Sequence, residues 1–183
     1  MKIGIQSALI IAVLVLGYFL YESIATPIRF EKEKTRRYAK VIDRLKDIRT
    51  AQIAFKDVYG RYTGDFDTLI SFLKNDSIPV VRAIGNVPDT MTEKQALELK
   101  LIIRDTIKIP VLDTLFGYKY PIDSLRIVPF TSTPFKMKAG EIETGSKVVV
   151  KVFEAVDAAP FDPQKILQVG SVTEANNNAG NWE

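Results

Sequence analysis

IGIQSALIIAVLVLGYFLY, residues 3–21, carries no formal charge and directly follows Met1-Lys2. Coiled as an α-helix, these 19 residues extend about 28 Å, close to the ~30 Å hydrocarbon core of a bilayer. No other stretch of the chain approaches this, so the run predicts a membrane helix and divides the sequence. Residues 1–27 read as an anchor with a short basic start, 28–175 as a single globular domain, and 176–183 as a flexible polar tail. Tyr18 and Tyr21 stand where an aromatic belt would mark the membrane boundary. Gly4, Ala8, Ala12 and Gly17 are small residues that permit close approach of a second apolar helix.

A cleavable signal peptide is the competing reading of the same segment. Lys2 supplies its basic start, and Ser23-Ile24-Ala25 its small residues ahead of Thr26-Pro27. The apolar stretch of such signals is ~7–15 residues; the longer run here favours an uncleaved anchor. Orientation is contested by two signals. Arg29, Lys32, Lys34, Arg36, Arg37 and Lys40 follow the run closely, and under the positive-inside rule they draw the domain to the cytoplasm. The short basic N-terminus favours export instead. The expected location is the inner (cytoplasmic) membrane with an extracytoplasmic domain. Arg29, Lys32, Lys34, Arg36 and Arg37 are the candidate contacts to lipid headgroups, with Glu31 and Glu33 interleaved among them.

Composition narrows the function classes. The net charge of +3 is spread over 25 basic and 22 acidic residues, unlike the concentrated basic face of a nucleic-acid binder. The chain has no His and no Cys. It therefore lacks the commonest general base, the commonest transition-metal ligand and any thiol nucleophile. No catalytic, cofactor-binding or metal-ligating set is assigned, and no small-molecule substrate. Asp65 and Asp67 lack the series of oxygen ligands that Ca²⁺ requires, and Asp65 or Thr63 reads better as a helix cap. Gly60-Arg61-Tyr62-Thr63-Gly64 lacks the Lys-Ser/Thr of a phosphate loop and reads as a turn between helices.

Past the anchor, Pro27 predicts a kink or break near Ile24 to Pro27. Beyond it Tyr38, Val41, Ile42, Leu45, Ile48, Phe55, Val58 and Tyr59 recur at helical spacing. Arg36, Lys40, Asp43, Asp47 and Thr50 lie mostly on the opposite, solvated side. Val41, Leu45, Ile48, Phe55 and Tyr59 are the expected helix–sheet core, and Gly60 the helix terminator.

An apolar half followed by an amphipathic half resembles the long helix of type IV pilins and of type II secretion pseudopilins. Ile48 to Tyr62, ending Val58-Tyr59-Gly60-Arg61-Tyr62, is similar to the passage with which pseudopilins leave that helix, and Asp65 to Ile70 to the short segment after it. A proline shortly past residue 20 is shared. The run is not preceded by a Gly-Phe-like processing site, and Glu22 lies far from the early acidic residue of pilins. The resemblance implies a non-enzymatic structural component of an envelope complex or filament, whose partners are the bilayer and other apolar helices. The alternative is a membrane-tethered binding or scaffold domain facing the cytoplasm; an envelope enzyme using carboxylates is the third reading.

The rest of the chain alternates more tightly. A short helix is expected from Phe66 to Leu73, a strand from Ile78 to Ile84, a helix from Thr92 to Leu99 and β structure from Leu101 to Val111. Strands are then expected at Ser124–Thr131, Pro134–Lys138, Glu141–Glu143 and Lys147–Val156, divided by Ala139-Gly140 and Thr144-Gly145-Ser146, with a last strand within Ile166–Thr173. The predicted fold is α+β: a long N-terminal helix packed on a small antiparallel sheet.

Overall fold

A computed structural model describes residues 2–85, 102–117, 119–145 and 147–183. Helix α1 runs from Lys2 to Tyr59. Pro27 lies inside it and the helix continues past it, so of the expected kink or break the chain makes no break. Proline forfeits the one hydrogen bond its missing N–H would make, and the helical pairing on either side suffices to carry the chain through. Gly60 adopts φ +69° and its N–H bonds the Lys56 carbonyl at 2.7 Å, the left-handed stop expected of that residue.

The second half of α1 builds the core. Tyr38, Val41, Leu45, Ile48, Gln52 and Phe55 repeat at three- and four-residue spacing, and all six are buried. They face helix α2 (Phe66–Asn75), through Leu69, Ile70, Phe72 and Leu73, together with Phe153, Leu167 and Val169 of the sheet region. Tyr59, by contrast, is 52% exposed. Its ring packs on Phe55 and Phe72 at the core's rim while its hydroxyl donates to Asp76. The polar end of the ring takes it out of the core.

Asp65 caps α2 by accepting from the Thr68 N–H at 2.8 Å. Strands β1 (Ser77–Gly85) and β2 (Ile102–Pro110) pair antiparallel as a separate two-stranded sheet. The expected helix at Thr92–Leu99 lies outside the described residues. Helix α3 (Val111–Leu115) and a 3₁₀ segment (Ile122–Arg126) follow. Strands β3 (Lys136–Glu143), β4 (Val149–Val156) and β5 (Gln168–Gly170) form an antiparallel sheet in the order β3-β4-β5. The architecture is thus α+β, a long helix against small antiparallel sheets.

Three local expectations change. Ser124–Thr131 is a 3₁₀ turn and loop with one isolated bridge, Ile127 to Pro134, because Pro121, Pro129 and Pro134 deny it continuous strand geometry. Ala139-Gly140 lies in mid-strand, paired with Phe153 and Val152, so the two short strands expected around it are one. The tail is also ordered. Gly170 N–H bonds the Ala179 carbonyl at 3.0 Å, Asn181 N–H bonds Gln168 at 3.1 Å, and Gly180 bridges Val169. Asn177 and Asn178 take positive φ, a conformation Asn tolerates well, so the polar run turns the chain back instead of releasing it. Trp182 then packs against the core and over Gly180, where an added Cβ would stand 2.3 Å from the indole.

Gln52 is the polar member of the core stripe and is fully buried. Its amide donates to the Thr63 carbonyl at 2.6 Å and accepts from the Thr63 N–H at 3.1 Å, clamping the α1–α2 loop. Gln52→Leu leaves both backbone groups unpaired and is expected to lower unfolding free energy by about 1–3 kcal/mol, against about 2–5 kcal/mol for Leu45→Ala. Urea unfolding of the solubilised chain, followed by Trp182 fluorescence, measures both.

Candidate functional site: the exposed helix and its junction with the domain

From Leu9 to Ile28 the residues of α1 are exposed, save for the half-buried Glu22 and Ala25. Its large apolar side chains here are 47–69% exposed, and they point around the whole circumference of the helix. Gly4 and Gly17 have no neighbouring atom within 4 Å of where a Cβ would stand, and Ala12 is exposed; the side chain of Ala8 lies outside the described residues. Tyr18 meets Phe19 edge-on at 6.1 Å and Tyr21 is exposed. The helix is long and apolar enough to cross a membrane. Glu22, the first charge after the run, accepts from the Thr26 hydroxyl at 2.9 Å and pairs with Arg29 at 3.4 Å.

Contact with the domain begins at Phe30, which stacks on Phe161 with ring centroids 5.1 Å apart. One turn later Lys34 pairs with Asp162 at 2.7 Å, and the Tyr38 hydroxyl donates to the Lys165 carbonyl at 2.7 Å. Lys34 is therefore a docking residue, with 18% of its side chain exposed, and not the headgroup contact its sequence position suggests. The carboxylate that claims it is 128 residues away in sequence. Glu33 receives Arg36 and Arg37 at 2.8 and 2.7 Å. Arg37 also lies over Phe161 at 4.6 Å and Phe130 at 5.5 Å, and Arg36 over Phe130 at 5.3 Å. Arg29 and Arg36 remain largely exposed, as does Lys32.

The electrostatics match this geometry. Hydrogen bonds from Arg36 and Arg37 pull the Glu33 carboxyl down to about 2. The Lys34 ammonium holds Asp162 below the usual carboxylate range, and the same bond raises Lys34.

Farther along α1, Asp47 accepts from the Tyr120 hydroxyl and Arg44 donates to the Ser124 carbonyl and, at 2.9 Å, its hydroxyl. Asp47 is half-buried, not on a solvated face. Burial pushes its carboxyl up against the opposing bond from Tyr120, and burial first, then the Asp47 bond, raises the Tyr120 phenol. These contacts pin the 3₁₀ segment to α1; a phenol so disinclined to ionise makes a poor acid or base near neutrality.

A surface cavity of about 550 Å³ beside α2 is lined by Phe55, Tyr59, Arg61, Asp65, Asp67 and Asp76, among others. Its carboxylates are committed: Asp65 to the cap, Asp67 to Arg126 and Asp76 to Tyr59. Among the described residues no group of three or more His, Cys, Asp or Glu is placed to hold a metal ion.

What the sequence missed is the long-range half of the junction, Phe130, Phe161 and Asp162. A Pro-Phe dipeptide occurs at 129–130 and 160–161, but also at 134–135, where Phe135 is a core residue, so it is no specific signal. No protein-family model, curated protein or solved structure matches this chain.

The Lys34–Asp162 pair sets a pH window. Its carboxyl titrates lower in the folded chain than the unfolded ~3.9, and its ammonium higher than ~10.4. The stabilisation is therefore complete between roughly pH 4 and pH 10, and is lost as pH falls through the lowered carboxyl value or rises through the raised ammonium value. Spin labels on Thr35→Cys and Gln164→Cys should give a narrow distance distribution at neutral pH that broadens as the pH falls through the lowered carboxyl value. Asp162→Asn should broaden it at every pH.

Proposed function

We propose that this chain is a single-pass membrane protein with a non-enzymatic, structural role in a cell-envelope complex or filament, pilin- or pseudopilin-like in outline. The observation that carries this reading is the apolar surface of α1 from Leu9 to Ile28, exposed on every side and continuous with the core helix of the domain. Contiguous apolar surface on that scale is covered by lipid or protein in a stable molecule. In the proposed arrangement Gly4, Ala8, Ala12 and Gly17 let neighbouring α1 helices approach in the bilayer, and the domains form the outer layer. The partners are lipid and other apolar helices, and the domain lies on the extracytoplasmic side of the cytoplasmic membrane.

The basic cluster from Arg29 to Lys40 favours a second reading, a tethered scaffold domain facing the cytoplasm. A topology reporter fused after Glu183 separates the two. Activity of an extracytoplasmic reporter is expected, and activity of a cytoplasmic one alone would remove the pilin-like reading. Because the chain contains no cysteine, Ala12→Cys provides a single crosslinking site. Disulfide-linked dimers in isolated membranes are the expected result, and their absence at every small-residue position would leave only the tether.

A further inference from the structure

Arg29, Lys32, Arg36 and Lys40 follow one another at three- and four-residue intervals, so they share one face of α1 over about 17 Å. All four are exposed. Carboxylates of the same helix answer them only in part. Glu22 pairs with Arg29 at 3.4 Å, Asp43 with Lys40 at 3.9 Å, and Glu33 is shared between Arg36 and Arg37. The face keeps a positive excess.

Phe130 stands beside this face. The Arg36 guanidinium lies 5.3 Å and that of Arg37 5.5 Å from the centre of its ring. Its loop, residues 127–135, contains no charged residue. Phe130 is the third residue of a turn closed by the Thr131 N–H to Val128 carbonyl bond, and has φ +66°. That position normally favours Gly or Asn. A strained backbone therefore holds an aromatic residue that is still 51% exposed. Strain of this kind persists where a surface has a use beyond the fold.

Depth decides what can cover the ring. Arg36 and Arg37 reach back to Glu33. With residues 3–21 in the hydrocarbon, that level is about 18 Å past the edge of the apolar layer. Headgroups fill only about 5–8 Å on each side of a bilayer, so the Phe130 ring stands clear of lipid. A second copy facing it through the same stripe would set cation against cation. Segments that leave a bilayer beside α1 are helices, and a helix repeats its side chains at the same three- and four-residue intervals.

We propose that the stripe from Arg29 to Lys40 and the Phe130 loop form a docking groove for a helix of a different membrane protein, one that carries a line of carboxylates flanked by apolar side chains. The carboxylates meet Lys32, Arg36 and Lys40, and an apolar residue covers Phe130. Aromatic and arginine side chains of this kind dominate the energetics of many protein interfaces. The proposal rests on α1 spanning the membrane.

The full chain in phosphatidylcholine nanodiscs tests it. The probes are two fluorescent helical peptides of about 18 residues, long enough to cover the stripe, and of equal composition. One has glutamates at three- and four-residue intervals beside leucines; the other has the same residues in scrambled order. With empty nanodiscs subtracted, fluorescence anisotropy should show the striped peptide binding at least about tenfold more tightly than the scrambled one, and less tightly as salt rises. Phe130→Gly, which adopts φ +66° without strain, should weaken the striped peptide at least about fivefold. Lys32→Gln combined with Lys40→Gln should do the same, with Trp182 emission unchanged in both chains. Equal binding of the two peptides, or undiminished affinity in the Phe130→Gly chain, overturns the groove; retention of the chain in membranes after alkaline extraction then leaves the spanning reading intact. Loss of the chain in that extraction overturns the spanning reading, and the groove with it. Quenching of a fluorophore at Ser132→Cys by a headgroup-level quencher lipid gives the loop to lipid and overturns the groove. Disulfide-linked dimers of the Lys32→Cys chain in isolated membranes give the stripe to a second copy and overturn it as well.

Discussion

Burial of one face of α1 is the interaction on which the domain depends. Leu45 and Ile48 have no exposed surface, and the same stripe meets α2, the three-stranded sheet and the segment between them. Among the described residues neither small sheet has a second sheet to cover it, and α2 has only 10 residues; α2, β4 and β5 hide apolar side chains in the core that α1 builds. A two-stranded sheet and a short helix are marginal in water without such packing. The polar contacts along α1 fix positions around this face: Gln52 holds the loop to Thr63, Asp47 and Arg44 hold the 3₁₀ segment, and Lys34 holds the Asp162 loop.

The same helix must also face a second environment. From Leu9 to Ile28 its large apolar side chains are exposed, with Glu22 the one charge among them; from Tyr38 onward one face is buried and the other charged. Between these lies a short segment in which almost every residue has a partner. Ahead of it Glu22 is bonded within its own helix; inside it Glu33 is held by two arginines, and Phe30 and Lys34 meet the domain. Charges close to a low-dielectric layer are costly when left alone, and pairing them inside one or two turns keeps the basic excess outward without stranding a carboxylate.

Features encoded over a few residues were legible in the sequence. The uncharged run, the 3–4 stripe, the Gly60 stop, the Asp65 cap and the strands near Ile78 and Ile103 all follow from local spacing or from single-residue backbone preferences. Features that depend on distant partners were not. Pro27 reads as a breaker until the rest of α1 is seen to run through it. Lys34 reads as a headgroup ligand because Asp162 is remote in sequence. Ala139-Gly140 looks like a turn, but β4 offers it a continuous partner. The asparagines of the tail look like disorder because their left-handed turns acquire meaning only beside the free edge of β5. Tyr59 fits the apolar stripe by spacing, while its hydroxyl finds Asp76 at the rim.

The unbroken passage of α1 through Pro27 has a mechanical consequence. No loop separates the exposed apolar part of α1 from the core-forming part, so the domain has no independent swivel: its heading is geared to the rotation of the apolar helix about its own axis. One residue added between Ile28 and Phe30 would turn that heading by about 100° and raise the domain by about 1.5 Å. Any neighbour that grips the exposed apolar part of α1 therefore also chooses which side of the domain faces it.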